Sequence, residues 1–260
     1  MNMSISSSKE EKYFIDSNYS EFWIQDTRKS KVNPLDISKY ILINESDFIL
    51  EIGSGEGQIL ELITRKGASC VGVDISIDML RAIRSRKNLN LNITNLIQAS
   101  AENMPFRENI FSKVICISSS WYIPNFNVML KDINRIIMNK GVFLCDLIQP
   151  DIDLVFRKTL LKYFQFLIKH RLNKGVLQIL IPFARILSKV IPYKPGMKTP
   201  LRFLDETWLK SSLNYGFPPI FLHTLRDIIS MFHLNNFRLN IIQQKNNNKW
   251  FITTARKLKE

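Results

Sequence analysis

In the stretch Phe48-Ile49-Leu50-Glu51-Ile52-Gly53-Ser54-Gly55-Glu56-Gly57, one buried-type acidic position precedes three alternating glycines. Glycines this dense remove Cβ where a backbone turns sharply and where a ligand comes close to it. The apolar run before them reads as a strand covered on both faces. The run after them, to Lys66, reads as a helix whose free N–H groups and positive dipole end point back at the turn. This is the layout of a nucleotide-binding loop. A dinucleotide fingerprint requires Gly-x-Gly-x-x-Gly. Here the spacing is Gly-x-Gly-x-Gly, and Glu51 stands beside it. A carboxylate there would repel a pyrophosphate but suits a ligand that carries positive charge. Asp74, which closes the next apolar run, is placed to accept both hydroxyls of a ribose, a role common to either kind of nucleotide.

These groups need a frame, and the hydrophobic pattern supplies one. Asn33-Pro34 reads as a helix start leading into Leu35 to Ile43. Strands are expected at Phe48 to Ile52, Cys70 to Val73, Ile93 to Ile97, Ser112 to Ile117 and Val142 to Ile148. Helices alternate with them, from about Gly57 to Lys66, Ile77 to Arg86 and Phe126 to Met138, with Asn139-Lys140-Gly141 as a turn. Phe237 to Gln243 and Trp250 to Arg256 read as a final antiparallel pair joined by a polar turn. The expected fold is therefore α/β: a Rossmann-like, doubly wound, mostly parallel seven-stranded sheet. A helical insertion, about 151–235, falls between strands five and six. The expected organisation is a tail or lid over 1–32 and one domain over 33–260.

Composition narrows the setting. The chain carries 36 Lys and Arg against 23 Asp and Glu, a net charge of +13. That excess suits a polyanionic partner, nucleic acid or an anionic membrane surface. It is equally what a Lys-, Asn- and Ile-rich coding bias produces, since the basic residues are dispersed. Cys70, Cys116 and Cys145 have no metal-ligand spacing and lie in strand-like runs, so they are expected as buried free thiols and no metal is expected. Met1 to Lys12 lacks the apolar core of a secretory signal, and a cytoplasmic protein is expected. The aromatic segment Tyr13 to Trp23 is expected to fold back as a lid or pack on the core.

Four motifs in order, Glu51-Ile-Gly-Ser-Gly-Glu-Gly57, Val71-Gly-Val-Asp74, Ala101-Glu-Asn-Met-Pro-Phe106 and Phe111-Ser-Lys-Val-Ile115, resemble a class I S-adenosylmethionine-dependent methyltransferase. The resemblance is to the ubiquinone/menaquinone-type small-molecule subgroup and covers roughly residues 45–148. It implies S-adenosyl-L-methionine as cofactor. Gly53, Ser54, Gly55 and Gly57 would line its methionine and ribose portion, and Glu51 would face the methionine end. Asp74 would bind the ribose hydroxyls and Ile75 would pack on the adenine. Ser100, Ala101 and Glu102 would contact the adenine side, Ser100 standing where the family commonly has Asp. Ile117, Ser118 and Ser119 would close over the methyl side.

A sulfonium is already an activated methyl donor, so such an enzyme needs orientation first, and a base only if the acceptor must lose a proton. Of His170, His223 and His233, all within 151–235, His223 is the candidate base, just before a helix in the region that caps the acceptor in this family. Ser118-Ser119-Ser120-Trp121-Tyr122 lacks the Asn/Asp-Pro-Pro-Tyr/Phe signature of exocyclic amino methylation. The apolar stretch from Gly175 to Pro192, with Arg185 and Lys189 on one face, suits a wall of a lipophilic pocket, a membrane-surface helix, or a cover for the sheet. The expected function is methyl transfer to a small, lipophilic or aromatic metabolite at O or C. An RNA methyltransferase and a catalytically inactive, cofactor-binding partner subunit are the alternatives.

Overall fold

Among the described residues, seven strands and four helices organise the chain: β1 Phe48–Ile52, α1 Gln58–Arg65, β2 Ser69–Asp74, α2 Ile77–Arg84, β3 Thr94–Gln98, β4 Phe111–Cys116, α3 Phe126–Ile136, β5 Ile137–Ile148, α4 Leu225–Leu234, β6 Phe237–Lys245 and β7 Trp250–Lys257. They are seen in a computed structural model that describes residues 14–15, 20, 37–86, 94–148, 223, 225–245 and 250–258. The strands form one sheet of order β3-β2-β1-β4-β5-β7-β6. The first five run parallel. β7 is antiparallel to both β5 and β6, which leaves β6 at the edge. The expected architecture is therefore present, and strand order reverses between β1 and β4, where open α/β sheets bind ligands.

Alternation along each strand separates the core into two layers. Leu50, Ile52, Val114, Cys116, Phe143 and Cys145 pack with α3 and α4 on one face. Ile49, Ile115 and Leu144 pack with α1, α2 and the turn at Ile37–Lys39 on the other. Phe126, Phe143, Phe232 and Phe237 form a ring cluster in the first layer, with centroids 6.0 to 6.4 Å apart. Each such ring, fully withdrawn from water, contributes about 1.5–3 kcal/mol. All three cysteines are buried and free, as expected. Burial pushes their thiols up, Cys116 to about 12.

Several boundaries differ from the sequence reading. The helix expected to reach Ile43 is, in its described part, only the 3-10 turn Ile37–Lys39. Leu42 is 73% exposed, so a longer helix would bury nothing there, and the Asn44 N–H is taken by Asp47 Oδ2 at 2.7 Å. α2 stops at Arg84, two residues early. Arg86 leaves the helix because its guanidinium is bound to the Glu56 carbonyl and the Glu61 carboxylate. β5 begins at Ile137, within the expected helix end, and carries Asn139-Lys140-Gly141 as a bulge between the pairs Phe111↔Ile137 and Lys113↔Val142. Lys140 takes the left-handed conformation that this bulge demands (φ 64°).

Residues 151–222 lie outside the described residues, and with them the expected insertion helices, His170, Arg185 and Lys189. α4 packs against the sheet through Ile228 and Phe232. Of the 1–32 segment, Phe14 places its ring 5.5 Å from that of Tyr122, edge-on, and Ser20 is buried. Among the described residues no helix is long and apolar enough to cross a membrane, and no three His, Cys, Asp or Glu side chains group as a metal site.

Candidate functional site

The turn from β1 to α1 is shaped by left-handed backbone at Gly53, Gly55 and Gly57 (φ 67°, 51° and 77°). It is tied to β2, whose Val73 carbonyl accepts the N–H groups of Gly53 and Ser54 at 2.8 and 3.0 Å. Asp74 holds it from the other side. Its Oδ2 accepts the Gly55 N–H and its Oδ1 the Ser76 N–H, each at 2.9 Å. Ser76 is thus the helix N-cap residue by position, and the Asp74 carboxylate fixes its backbone rather than capping the helix. The Gln98 amide at the end of β3 completes the rim by donating to the Ile75 carbonyl at 3.0 Å.

Glu51 lies on β1 directly beneath this turn and is 3% exposed. The Leu60 N–H on the first turn of α1 is hydrogen-bonded to its carboxylate. Burial, then the nearby Asp74 charge, hold that carboxyl well above its ordinary pKa. Its Oε2 and the buried Ser54 Oγ find no hydrogen-bond partner among the described residues. A buried polar atom without a partner costs about 1–3 kcal/mol, so two beside one glycine turn mark a place for an outside partner. The side above Gly55 is open, since a Cβ there would meet nothing nearer than the Gly53 carbonyl oxygen at 4.0 Å.

The other expected site residues sit at neighbouring strand ends. Ser100 is buried after β3, and its hydroxyl accepts the Glu102 N–H at 3.0 Å. Ala101 is half-buried beside it. The Glu102 carboxylate is turned toward α3, accepting the Asn125 backbone N–H at 2.8 Å and its side-chain amide at 3.0 Å. Ile117 is buried and Ser118 is exposed at the end of β4. His223 is half-buried on the α3 side, its ring 5.8 Å from Phe126. The β strands thus gather Glu51, the glycine turn, Asp74, Ile75, Ser100 and Ile117–Ser118 along one rim, with His223 across α3.

Sequence reasoning missed Gln98 and Asp146 at this rim. Ser119 lies against Gly53, and its Oγ donates to the Ile52 carbonyl at 3.0 Å. Asp146 is a carboxylate in an otherwise apolar strand, Phe143 to Ile148. That break in the pattern was the signal available for it. Burial raises its pKa to about 7.

Three raised carboxyls have a consequence for stability. Burial raises Asp74 as well. A folded chain with such groups holds protons that the unfolded chain releases from about pH 4 upward. The stabilising share of Asp146 is complete at low pH and is lost as pH rises through about 7. The ligand-free protein is accordingly expected to melt at lower temperature at pH 8 than at pH 6, with Asp146→Asn narrowing the gap. A melting temperature that climbs over this interval would contradict the assignment.

Known proteins agree with this geometry. A family described as "Methyltransferase domain" matches residues 50–145, a span from β1 to β5 that carries the rim residues named above except Asp146, which follows it directly. The chain contains a class I S-adenosylmethionine-dependent methyltransferase domain. A sterol 4-C-methyltransferase of Caenorhabditis elegans is 31% identical over 44% of this chain and 35% of its own length. A fatty-acid O-methyltransferase of Mycolicibacterium smegmatis is 29% identical over 42% and 40%. A demethylmenaquinone methyltransferase of Staphylococcus saprophyticus is 29% identical over 63% and 66%. The chain thus spans about two fifths of the length of the first two relatives and just under two thirds of the third. An S-adenosylmethionine-dependent methyltransferase structure from Mesorhizobium loti superposes with a TM-score of 0.54 at 12% identity, covering 81% of this chain and 91% of its own. That likeness speaks to the fold.

S-adenosylmethionine is the cofactor of this methyltransferase family, and the residues present fit it. The two partnerless polar atoms, Glu51 Oε2 and Ser54 Oγ, suit the polar, cationic methionine end. Asp74 accepts the backbone N–H groups of Ser76, Gly55 and Ile75 and, of its four or so lone-pair sites, keeps capacity for a ribose hydroxyl.

Proposed function

We propose that this protein transfers a methyl group from S-adenosylmethionine to a small lipophilic or aromatic metabolite, at oxygen or carbon. The observation that carries the proposal is the glycine turn at the β1/β4 switch point, with Glu51 and Ser54 presenting buried polar atoms that lack partners. When bound, the cofactor supplies a sulfonium-activated methyl group, so the chain's task is to hold and orient. Glu51 and Ser54 hold the methionine end, Asp74 the ribose, Ile75 and the Ser100–Glu102 turn the adenine, and Ile117–Ser118 the methyl side.

Support for the acceptor class is chemical. Trp121 and Tyr122 follow β4, their rings 5.8 Å apart, and Phe14 packs on Tyr122. Aromatic faces at this position suit a flat or apolar acceptor. The relatives named above act on a sterol, a fatty acid and demethylmenaquinone, all lipophilic. The test is incubation of the purified chain with S-adenosylmethionine and a lipid-soluble metabolite extract, followed by mass spectrometry for products heavier by one methylene. No such product, with the cofactor bound, would count against this acceptor class. The +13 charge supports a second reading, an RNA methyltransferase. That reading requires RNA binding that falls steeply with salt, and binding that is absent at low salt removes it.

His223 is the proposed base for a hydroxyl acceptor. Its Nε2 is buried without a partner among the described residues. Burial lowers its pKa against the opposing pull of Asp227, so the imidazole is neutral at neutral pH and able to take a proton. His223→Gln is expected to lower kcat by roughly a hundredfold or more while leaving KM near its starting value. A kcat within threefold or so of the parent would remove His223 from the mechanism.

A further inference from the structure

The turn after β4 crosses the switch point and is fastened at both ends. On the β1 side Ser119 Oγ donates to the Ile52 carbonyl at 3.0 Å. On the β5 side the Ser118 N–H donates to Asp146 Oδ1 at 2.8 Å, and Ser120 Oγ donates to the Asp146 carbonyl at 2.5 Å. Ser118 sits in the left-handed region, φ 60°, which a serine visits only at a cost of roughly 1–2 kcal/mol. Something must hold it there, and among the described residues the side chain bonded to its N–H is a carboxylate 2% exposed. An acceptor that is charged and shielded from water makes the stronger kind of hydrogen bond.

We infer that Asp146 is a positioning residue: by anchoring the Ser118 N–H it keeps the 117–120 turn in the conformation that closes the cofactor site opposite Gly53. The inference rests on the cofactor reading above. The link to the cofactor turn is steric. Ser119 lies so near Gly53 that a Cβ on that glycine would stand 2.4 Å from the Ser119 Cβ and Oγ. A turn that relaxes at Ser118 moves Ser119, and Ser119 forms the wall against which the glycine turn is set. Asp146 touches neither cofactor nor acceptor in this account. It acts through the turn.

The surroundings of Asp146 make its ionisation readable. The titratable groups facing it are the thiols of Cys145 on its own strand and Cys116 on β4, both held neutral by burial. β7 places Ile252 opposite it, and Phe251 and Thr253 beside that carry no charge. The turn contributes only Ile117, the serines, Trp121 and Tyr122. A protonated carboxyl is a weaker acceptor, so the turn loosens as pH falls through about 7, the value to which burial lifts Asp146.

The experiment is calorimetric titration of the full chain with S-adenosylmethionine, with melting curves to establish folding. Asp146→Ala is expected to weaken binding by about tenfold or more. Asp146→Asn keeps an oxygen for the Ser118 N–H. It is expected to bind within about threefold of the parent at pH 8 and to lose the step in affinity near pH 7. Adding Ser118→Gly to Asp146→Ala should recover most of the loss, because glycine holds φ 60° without an anchor. Should Asp146→Ala fail to fold, Asp146→Leu removes the acceptor while filling its volume with an apolar group, and is expected to show the same loss. Undiminished binding by Asp146→Ala or Asp146→Leu overturns the inference, as does a double variant no tighter than the single one. A parent chain that does not bind S-adenosylmethionine overturns it together with the cofactor reading, whereas a tight-binding parent with indifferent variants overturns the positioning role alone.

Discussion

Asp74→Ala is expected to weaken S-adenosylmethionine binding by roughly tenfold or more, about 1.4 kcal/mol at the least. Two losses combine. The ribose hydroxyls lose their acceptor, and the backbone N–H groups of Gly55 and Ser76 lose theirs, since each is bonded to a different oxygen of the same carboxylate. For that reason Asp74→Asn is not a mild change. An amide presents one oxygen and one NH₂, so either Gly55 or Ser76 would face a donor with a donor. The asparagine variant is expected to fall close to alanine in calorimetry, and below Asp74→Glu, which keeps both oxygens. Equal affinity for the parent and Asp74→Ala would mean that the ribose does not bind at the end of β2.

Gly53→Ala should be the most disruptive substitution in the glycine turn. The new Cβ would lie 2.4 Å from the Ser119 Cβ and Oγ, at a residue with φ +67°. The Ser119 Cβ is fixed to its backbone and cannot swing away, so the turn itself must shift. Left-handed backbone costs an alanine about 1–2 kcal/mol, and overpacking adds about 1–3 kcal/mol. The sum, about 2–5 kcal/mol, is a large part of the 5–15 kcal/mol or so that holds a domain folded. Urea unfolding should show a midpoint displaced to lower concentration, and cofactor binding should be lost. Adding Ser119→Gly removes the collision but not the backbone strain, so it should restore only part of the midpoint. By contrast Gly55→Ala meets open space. At φ 51° it still carries the left-handed cost of about 1–2 kcal/mol, but with no collision it should be milder for stability than Gly53→Ala. A Gly53→Ala midpoint equal to the parent's would contradict the described packing of the turn.

Part of this was legible because the signals are local. Phe48 to Ile52 is apolar at nearly every position, and a strand buried on both faces needs that; its limits in the structure are the same two residues. Glycine at 53, 55 and 57 follows from backbone angles that only it adopts freely, and Asp74 closes β2 where the apolar run predicts. What escaped depended on contacts between distant segments. β5 begins five residues ahead of Val142 because Phe111 and Ile137 pair across a bulge, a matter of inter-strand register that a one-dimensional pattern does not carry. α2 is cut short by ion pairing of Arg86 with Glu61, a residue on another helix. Glu102 fits its motif, yet its carboxylate is engaged by Asn125 at the start of α3.

The sequence by itself determined the type of fold, the place of the nucleotide turn and the cationic character of its ligand, because strand burial, helix dipole and glycine backbone freedom are properties of short segments. Only the tertiary structure decided how that turn is held. Ser119, after β4, packs on Gly53, Asp146 on β5 holds the neighbouring Ser118, and Gln98 at the end of β3 bonds Ile75 beside Asp74, all from parts of the chain remote in sequence. Their chemistry becomes visible when the sheet order brings β3, β2, β1, β4 and β5 side by side and withdraws Glu51 and Asp146 from water. A lone aspartate in an apolar run carries little meaning until burial has raised its pKa and set it against the Ser118 N–H.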